Sequence, residues 1–191
     1  MATKIPDELK KAIRAMPELE KDKLLLRLVA KDGMLVRKLQ HQLLEDEVDA
    51  EQQRDALAEQ VTTYFTSEGF SGWNYTPGLV MMELRNFSGA ITRHVKVTRD
   101  KYGEVRLLLL LVNLPFRHQR ALLDRKAKRA DKFAVYVVKK AQTALNKLEK
   151  LDQDYYIEFE KDVNEMLGYL HNYSPTAPLA ADHGLPQQWE Y

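Results

Sequence analysis

The chain has 191 residues, 45% of them hydrophobic and 30% charged, with a formal net charge of +1. That is enough apolar material for one domain or two small ones, and the 8 Gly and 7 Pro are too few for a collagen or a turn-rich sandwich. The absence of cysteine excludes disulfide staples, thiolate nucleophiles and cysteine-held zinc or iron–sulfur sites.

The first predicted helix runs from Pro6 to Ala15, with Asp7 and Glu8 at its positive dipole end and Leu9 and Ile13 on one face. Met16-Pro17 breaks it, because a residue before proline avoids helical angles. Pro17 opens a second helix whose buried stripe is Leu24, Leu25, Leu28 and Val29. Asp32-Gly33 interrupts the chain again. A third helix follows, with Leu35, Val36, Leu39, Leu43 and Leu44 at helical spacing. Asp49 and Gln52 fit a capping box for a fourth helix through Leu57, Val61 and Phe65, ended by Gly69. Phe70, Trp73 and Tyr75 make an aromatic loop that plugs a gap between helix pairs. Thr76-Pro77 reads as an N-cap and first-turn proline.

Residues 78–112 fit two readings. At helical spacing Val80, Leu84, Phe87, Ile91 and Val95 form an amphipathic stripe. At period two, with turns at Asn86–Gly89 and Asp100–Gly103, the same segment gives a three-stranded meander. Asp100-Lys101-Tyr102-Gly103-Glu104-Val105-Arg106, followed by an apolar run, is similar to the inter-helix turn and second helix of HEAT-type repeats. Asp32-Gly33-Met34-Leu35-Val36-Arg37 resembles it, one residue shorter. Each match covers about twenty residues. The resemblance implies helix–turn–helix pairs and a protein-binding array, and it favours helices over 78–114.

Pro115 is expected to end or kink what precedes it. Beyond it, apolar residues from Ala130 to Leu170 recur at a straight helix's spacing. Unbroken, that helix would run roughly 65 Å, whereas a compact chain of this length is about 40 Å across. A break at Asp152-Gln153-Asp154 is therefore expected. Residues 174–191, with Pro175, Pro178 and Pro186, read as an irregular tail ending in Trp189 and Tyr191.

Charge is unevenly distributed. Residues 1–84 carry 11 Lys/Arg against 15 Asp/Glu, residues 85–132 carry 13 against 4, and residues 133–191 carry 5 against 9. The centre is basic between acidic flanks. Its densest part holds Arg117, Arg120, Arg125, Lys126, Lys128, Arg129 and Lys132. On one continuous helix 117–132, all but Lys126 would lie within an arc of about 180°, a stripe suited to phosphates. The same residues could instead be neutralised by the acidic flanks.

Evidence for catalysis is thin. His41 and Glu45 sit at i and i+4, without the further ligands of a metal element. Glu158, Asp162 and Glu165 cluster on one predicted helix as a solvated acidic face or a proton-sharing set. The serines lack a nucleophile elbow, and no phosphate or dinucleotide loop is present.

The sequence thus reads as all-α, with paired antiparallel helices in a short HEAT-like or superhelical array. A single domain over 1–173 would be followed by the tail. The alternative is an α+β chain with the meander. With no run near the roughly 20 apolar residues of a membrane span and no leader-like start, a soluble, cytoplasmic chain is expected. The functional expectation is a non-enzymatic interaction protein without cofactor or metal, binding another protein. The alternative is nucleic-acid or polyanion binding through Arg117, Arg120, Arg125, Lys128, Arg129 and Lys132.

Overall fold

The computed structural model describes residues 5–45, 47–67 and 75–190, with Glu47 and Arg129 described as backbone. Among these residues there are ten α-helices, two single-turn 3-10 segments and no strand. The chain is all-α, and the meander over 78–112 does not form. No helix of the described residues is long and apolar enough to cross a membrane. The chain divides into two compact units, residues 1–46 and 47–191.

In the first unit α1 spans Asp7–Ala15, α2 Glu18–Val29 and α3 Gly33–Leu44. Met16 is extended, with ψ 143°, as its following proline requires. Asp32 caps α3, accepting from the Met34 and Leu35 amides at 2.9 and 3.2 Å. The predicted apolar stripes form but are not buried, and none of the three helices holds a buried residue. Leu24, Val29, Val36 and Leu39 are half-buried. Leu25 and Leu28 are 56% and 51% exposed, and Leu43 and Leu44 are 74% and 81% exposed. A stripe is buried only against a second apolar surface, and three short helices offer one another too little of it.

The second unit opens with α4, Glu47–Thr66, which starts ahead of the expected box and places Asp49 in its first turn. Val61 and Phe65 are fully buried. Gly69, Phe70 and Trp73 lie outside the described residues; Tyr75 packs against the core. Helix α5 spans Pro77–Thr98, its first-turn Leu79 amide donating to Thr76 Oγ1 at 3.3 Å. Helix α6 spans Lys101–His118. The two form the helix–turn–helix that the helical reading of 78–112 predicts. Val80, Leu84 and Ile91 are buried and Phe87 and Val95 pack against the core. The turn-like Asn86–Gly89 sequence sits inside α5, where its helical stripe finds apolar partners.

Helix α6 is the centre of this unit. Between Val105 and Phe116 only Arg106 and Leu110 escape full burial, and α6 packs against α4, α5, α8 (Asp131–Leu148) and α9 (Tyr156–Asn172). A helix apolar on every side requires such all-round cover. It runs through Pro115 to His118 rather than ending there, and the Gln119 amide donates to the Pro115 carbonyl at 2.8 Å. The short α7, Arg120–Arg125, follows.

The long stripe from 130 to 170 breaks where expected. Leu148 ends α8, Asp152 accepts from the Asp154 amide at 3.1 Å, and a 3-10 turn over Gln153–Tyr155 leads into α9. The tail is not irregular, because α10 spans Ala177–Asp182. Tyr173 OH donates to the Leu123 carbonyl at 3.0 Å and Thr176 Oγ1 to the Leu170 carbonyl at 2.7 Å. The Trp189 amide donates to Asn164 Oδ1 at 2.7 Å, while Asn164 Nδ2 donates to the Trp189 carbonyl at 3.3 Å. The last two bonds seat Trp189 on its own unit.

The α5–α6 turn carries a buried polar cluster. The Gly103 amide donates to Asp100 Oδ1 at 2.7 Å, and Arg54 on α4, only 8% exposed, reaches Asp100 Oδ2 at 3.5 Å. His94 Nε2 faces the same oxygen at 4.0 Å, beyond hydrogen-bond reach. His94, the Gly103 amide and the Arg54 guanidinium together hold the Asp100 carboxyl below the ordinary aspartate range, against the opposing effect of burial. A Cβ at Gly103 would overlap Asp100 Oδ2 and lie 2.6 Å from Arg54 Cδ.

Two outcomes follow from this cluster. Gly103→Ala should lower unfolding free energy by about 1–3 kcal/mol in urea titration, since the added methyl displaces both the cap and the guanidinium. A depressed folded-state pKa stabilises the fold at neutral pH, and that contribution is lost as pH falls below the ordinary aspartate range through the lowered folded-state value. Asp100→Asn should therefore melt lower at pH 7 and show a flatter acid limb when melting temperature is followed against pH.

Candidate functional site

The basic segment is built from three pieces rather than one helix. Helix α6 ends at His118, α7 ends at Arg125, and a 3-10 turn over Ala127–Arg129 precedes α8. Gln119, Lys126 and Ala130 take non-helical angles at the joints. One joint has a tertiary cause: the buried Gln119 side chain donates from Nε2 to the Phe65 carbonyl of α4 at 3.0 Å. The single cationic stripe expected over 117–132 is therefore not formed.

Its members meet different environments. Arg117 Nε donates to Glu165 Oε1 at 2.7 Å, and Nη2 reaches both Asp162 Oδ1 at 3.0 Å and Glu165 Oε2. Tyr169 OH donates to the same Glu165 at 2.7 Å. These hydrogen bonds, chiefly that from Arg117, hold the Glu165 carboxyl below its ordinary range despite partial burial. Glu165 and Asp162 in turn raise the Arg117 pKa. Arg120 Nε shares its proton between both Asp124 carboxylate oxygens at 3.0 and 2.9 Å, its guanidinium lies 5.4 Å from the Tyr173 ring centre, and Nη2 donates to the Asn172 carbonyl at 3.3 Å. Lys126 Nζ donates to the Tyr75 carbonyl at 2.7 Å. Arg125 is exposed at the end of α7, and Arg129 closes the 3-10 turn. Lys128 and Lys132 are exposed, with no carboxylate partner among the described residues.

The acidic cluster resolves in the same way. Asp162 and Glu165 neutralise Arg117, and Glu158 accepts from Tyr102 OH at 2.7 Å. These carboxylates are held by one guanidinium and two phenols rather than arranged to share protons. His41 Nδ1 and Glu45 Oε2 pair at 3.1 Å. Among the described residues no group of three or more His, Asp or Glu could hold a metal ion.

One chemical pairing has no signal in the sequence. Lys140 on α8 donates from Nζ to Ser88 Oγ on α5 at 2.8 Å and lies 5.6 Å from the Tyr136 ring centre. Burial, followed by the nearby Lys147 charge, pushes the Lys140 amine below the usual lysine range. Ser88 sits in mid-helix, where backbone amides are committed to the helix ladder. Acyl transfer needs free N–H donors at the nucleophile, so this contact reads as a clamp between α5 and α8.

The least expected surface lies in the first unit. Leu25 and Leu28 of the α2 stripe and Leu43 and Leu44 of the α3 stripe face solvent, and Leu19 and Leu26, on the opposite side of α2, are 75% and 69% exposed. Their signal was present in the run Leu24-Leu25-Leu26 with Leu28 and Val29, which makes α2 apolar on more than one face.

Arg117→Ala should cost about 1–3 kcal/mol in urea unfolding, because it leaves two paired carboxylates without their cation, and should leave retention on heparin unchanged. Lys128→Glu with Lys132→Glu should leave stability within about 0.5 kcal/mol and remove any salt-sensitive heparin retention the chain shows.

No protein-family model matches the chain, and comparison with curated proteins and with solved structures finds no significant similarity.

Proposed function

We propose that this chain is a non-enzymatic helical interaction protein that docks onto another protein chain through the apolar faces of α1–α3. One observation carries this reading. The stripes that the sequence patterns for burial, on Leu9 and Ile13, on Leu25 and Leu28, and on Leu43 and Leu44, are left uncovered. Exposing so many large aliphatic side chains is costly in water, and covering them supplies the driving force for association. The HEAT-type resemblance is consistent with this use. In both Asp-containing turns the aspartate caps the following helix, Asp32 on α3 and Asp100 on α6, and arrays of helix pairs present extended binding faces.

Polyanion binding through the basic segment has narrower support. Arg117 and Arg120 are engaged by the chain's own carboxylates, which leaves Arg125, Lys128 and Lys132 as the described exposed cations of that reading.

A photo-crosslinking residue at Leu44 of the full chain should form adducts with one protein identifiable by mass spectrometry, and the same residue at the exposed Glu160 of α9 should form none. Leu25→Ser with Leu28→Ser should abolish the Leu44 adducts. Adducts of equal yield at both positions, or none at Leu44, would overturn the docking reading.

A further inference from the structure

The structure points to a second copy of this chain as the occupant of that surface; we propose that α2 pairs antiparallel with its counterpart about a two-fold axis, an inference that rests on the docking reading above. The first argument is one of size. A unit of 46 residues lies between the roughly 40 residues below which chains usually need a disulfide, a metal or oligomerisation and the roughly 55–65 at which many domains fold alone. Here cysteine is absent, and no metal-holding group is found among the described residues. No residue of α1–α3 is buried. A second copy laid over these faces would supply the burial they lack.

The second argument is one of area. Eight large aliphatic side chains between Ile5 and Leu44, leaving out Leu19 and Leu26 on the opposite side of α2, are each a third or more exposed, and stable complexes bury roughly 800 Å² per partner.

Charge selects the partner. Residues 1–46 carry ten Lys/Arg against eight Asp/Glu, a near-neutral mixture that offers a strongly charged partner little to read. On α2, Glu20 and Arg27 are seven residues apart and so share one side of the helix, beside Leu24 and Leu28. Neither takes part in an ion pair among the described residues. Antiparallel pairing of two copies centred near Leu24 sets each Glu20 against the other copy's Arg27. This is the arrangement by which charges flanking an apolar seam choose partner and orientation. The two-fold axis makes every such contact twice.

Sedimentation equilibrium of the full chain should give twice 22.2 kDa. Glu20→Arg alone and Arg27→Glu alone each juxtapose like charges twice, and each should weaken dimerisation about tenfold. An equimolar mixture of the two variants should regain the parent's affinity as a mixed dimer. Both substitutions lie at solvent-facing positions, and an unchanged far-ultraviolet dichroism spectrum confirms that each variant folds. A full chain of monomer mass at every concentration, or single variants that dimerise like the parent, would overturn the second copy as occupant. A monomer that still crosslinks from Leu44 to a different protein removes this inference and leaves the docking reading intact. A monomer with no adduct removes both.

Discussion

The second unit is organised by the need to cover α6. A helix with apolar residues on every side has no face to give to water, so it is stable only when neighbours enclose it. Helices α4, α5, α8 and α9 supply that enclosure. Their own amphipathic stripes are the complementary half of the arrangement, since each presents one apolar face inward. Phe116 near the end of α6 shows how closely the surfaces meet. Its ring stacks on Tyr169 at 5.3 Å and meets Phe133 and Tyr173 at 5.8 and 5.7 Å, so residues from α8, α9 and the following segment converge on one aromatic cluster.

Burying a helix so completely constrains its polar groups. Asn113, fully buried on α6, donates from Nδ2 to the Asp162 carbonyl of α9 at 2.9 Å. A one-residue slip of α9 against α6 would forfeit that bond inside an apolar core, so the asparagine selects a register at some cost in stability. Arg54 has a comparable role between α4 and the α5–α6 turn, and Gln119 ties the end of α6 to the last turn of α4. These groups specify which packing is adopted, whereas the leucines supply most of the driving force.

Much of the architecture was legible in the sequence because it is written locally. The Asp32-Gly33 interruption, the Thr76-Pro77 cap, the Met16-Pro17 break and the Asp152 break depend on side chains within a few residues, and each lies where local chemistry puts it. The choice between helix and strand over 78–112 was not local. Its turn-like tetrapeptides are overridden because the helical stripe finds α4, α6 and α8 to pack on. The candidate site was less legible for the same reason. A continuous helix over 117–132 would have presented its cations together, but the Gln119 bond to Phe65 and the pairing of Arg117 with Asp162 and Glu165 involve residues some fifty positions distant. The acidic flank neutralises the start of the basic centre, as summed charges alone allowed, and leaves Lys128 and Lys132 in water. The tail was misread because proline content signals irregular backbone, whereas Tyr173, Thr176 and Trp189 contribute anchoring bonds that composition does not register.

The contrast in enclosure between the two units governs where each yields to solvent. Opening α2 or α3 forfeits few apolar contacts, so backbone amides there exchange with deuterium through inexpensive local fraying. Those of α6 can exchange only when the surrounding helices separate, an event that costs close to the whole stability of that unit. One polypeptide thus spans a hierarchy of opening energies, with its most permissive hydrogen bonds beside its most exposed leucines.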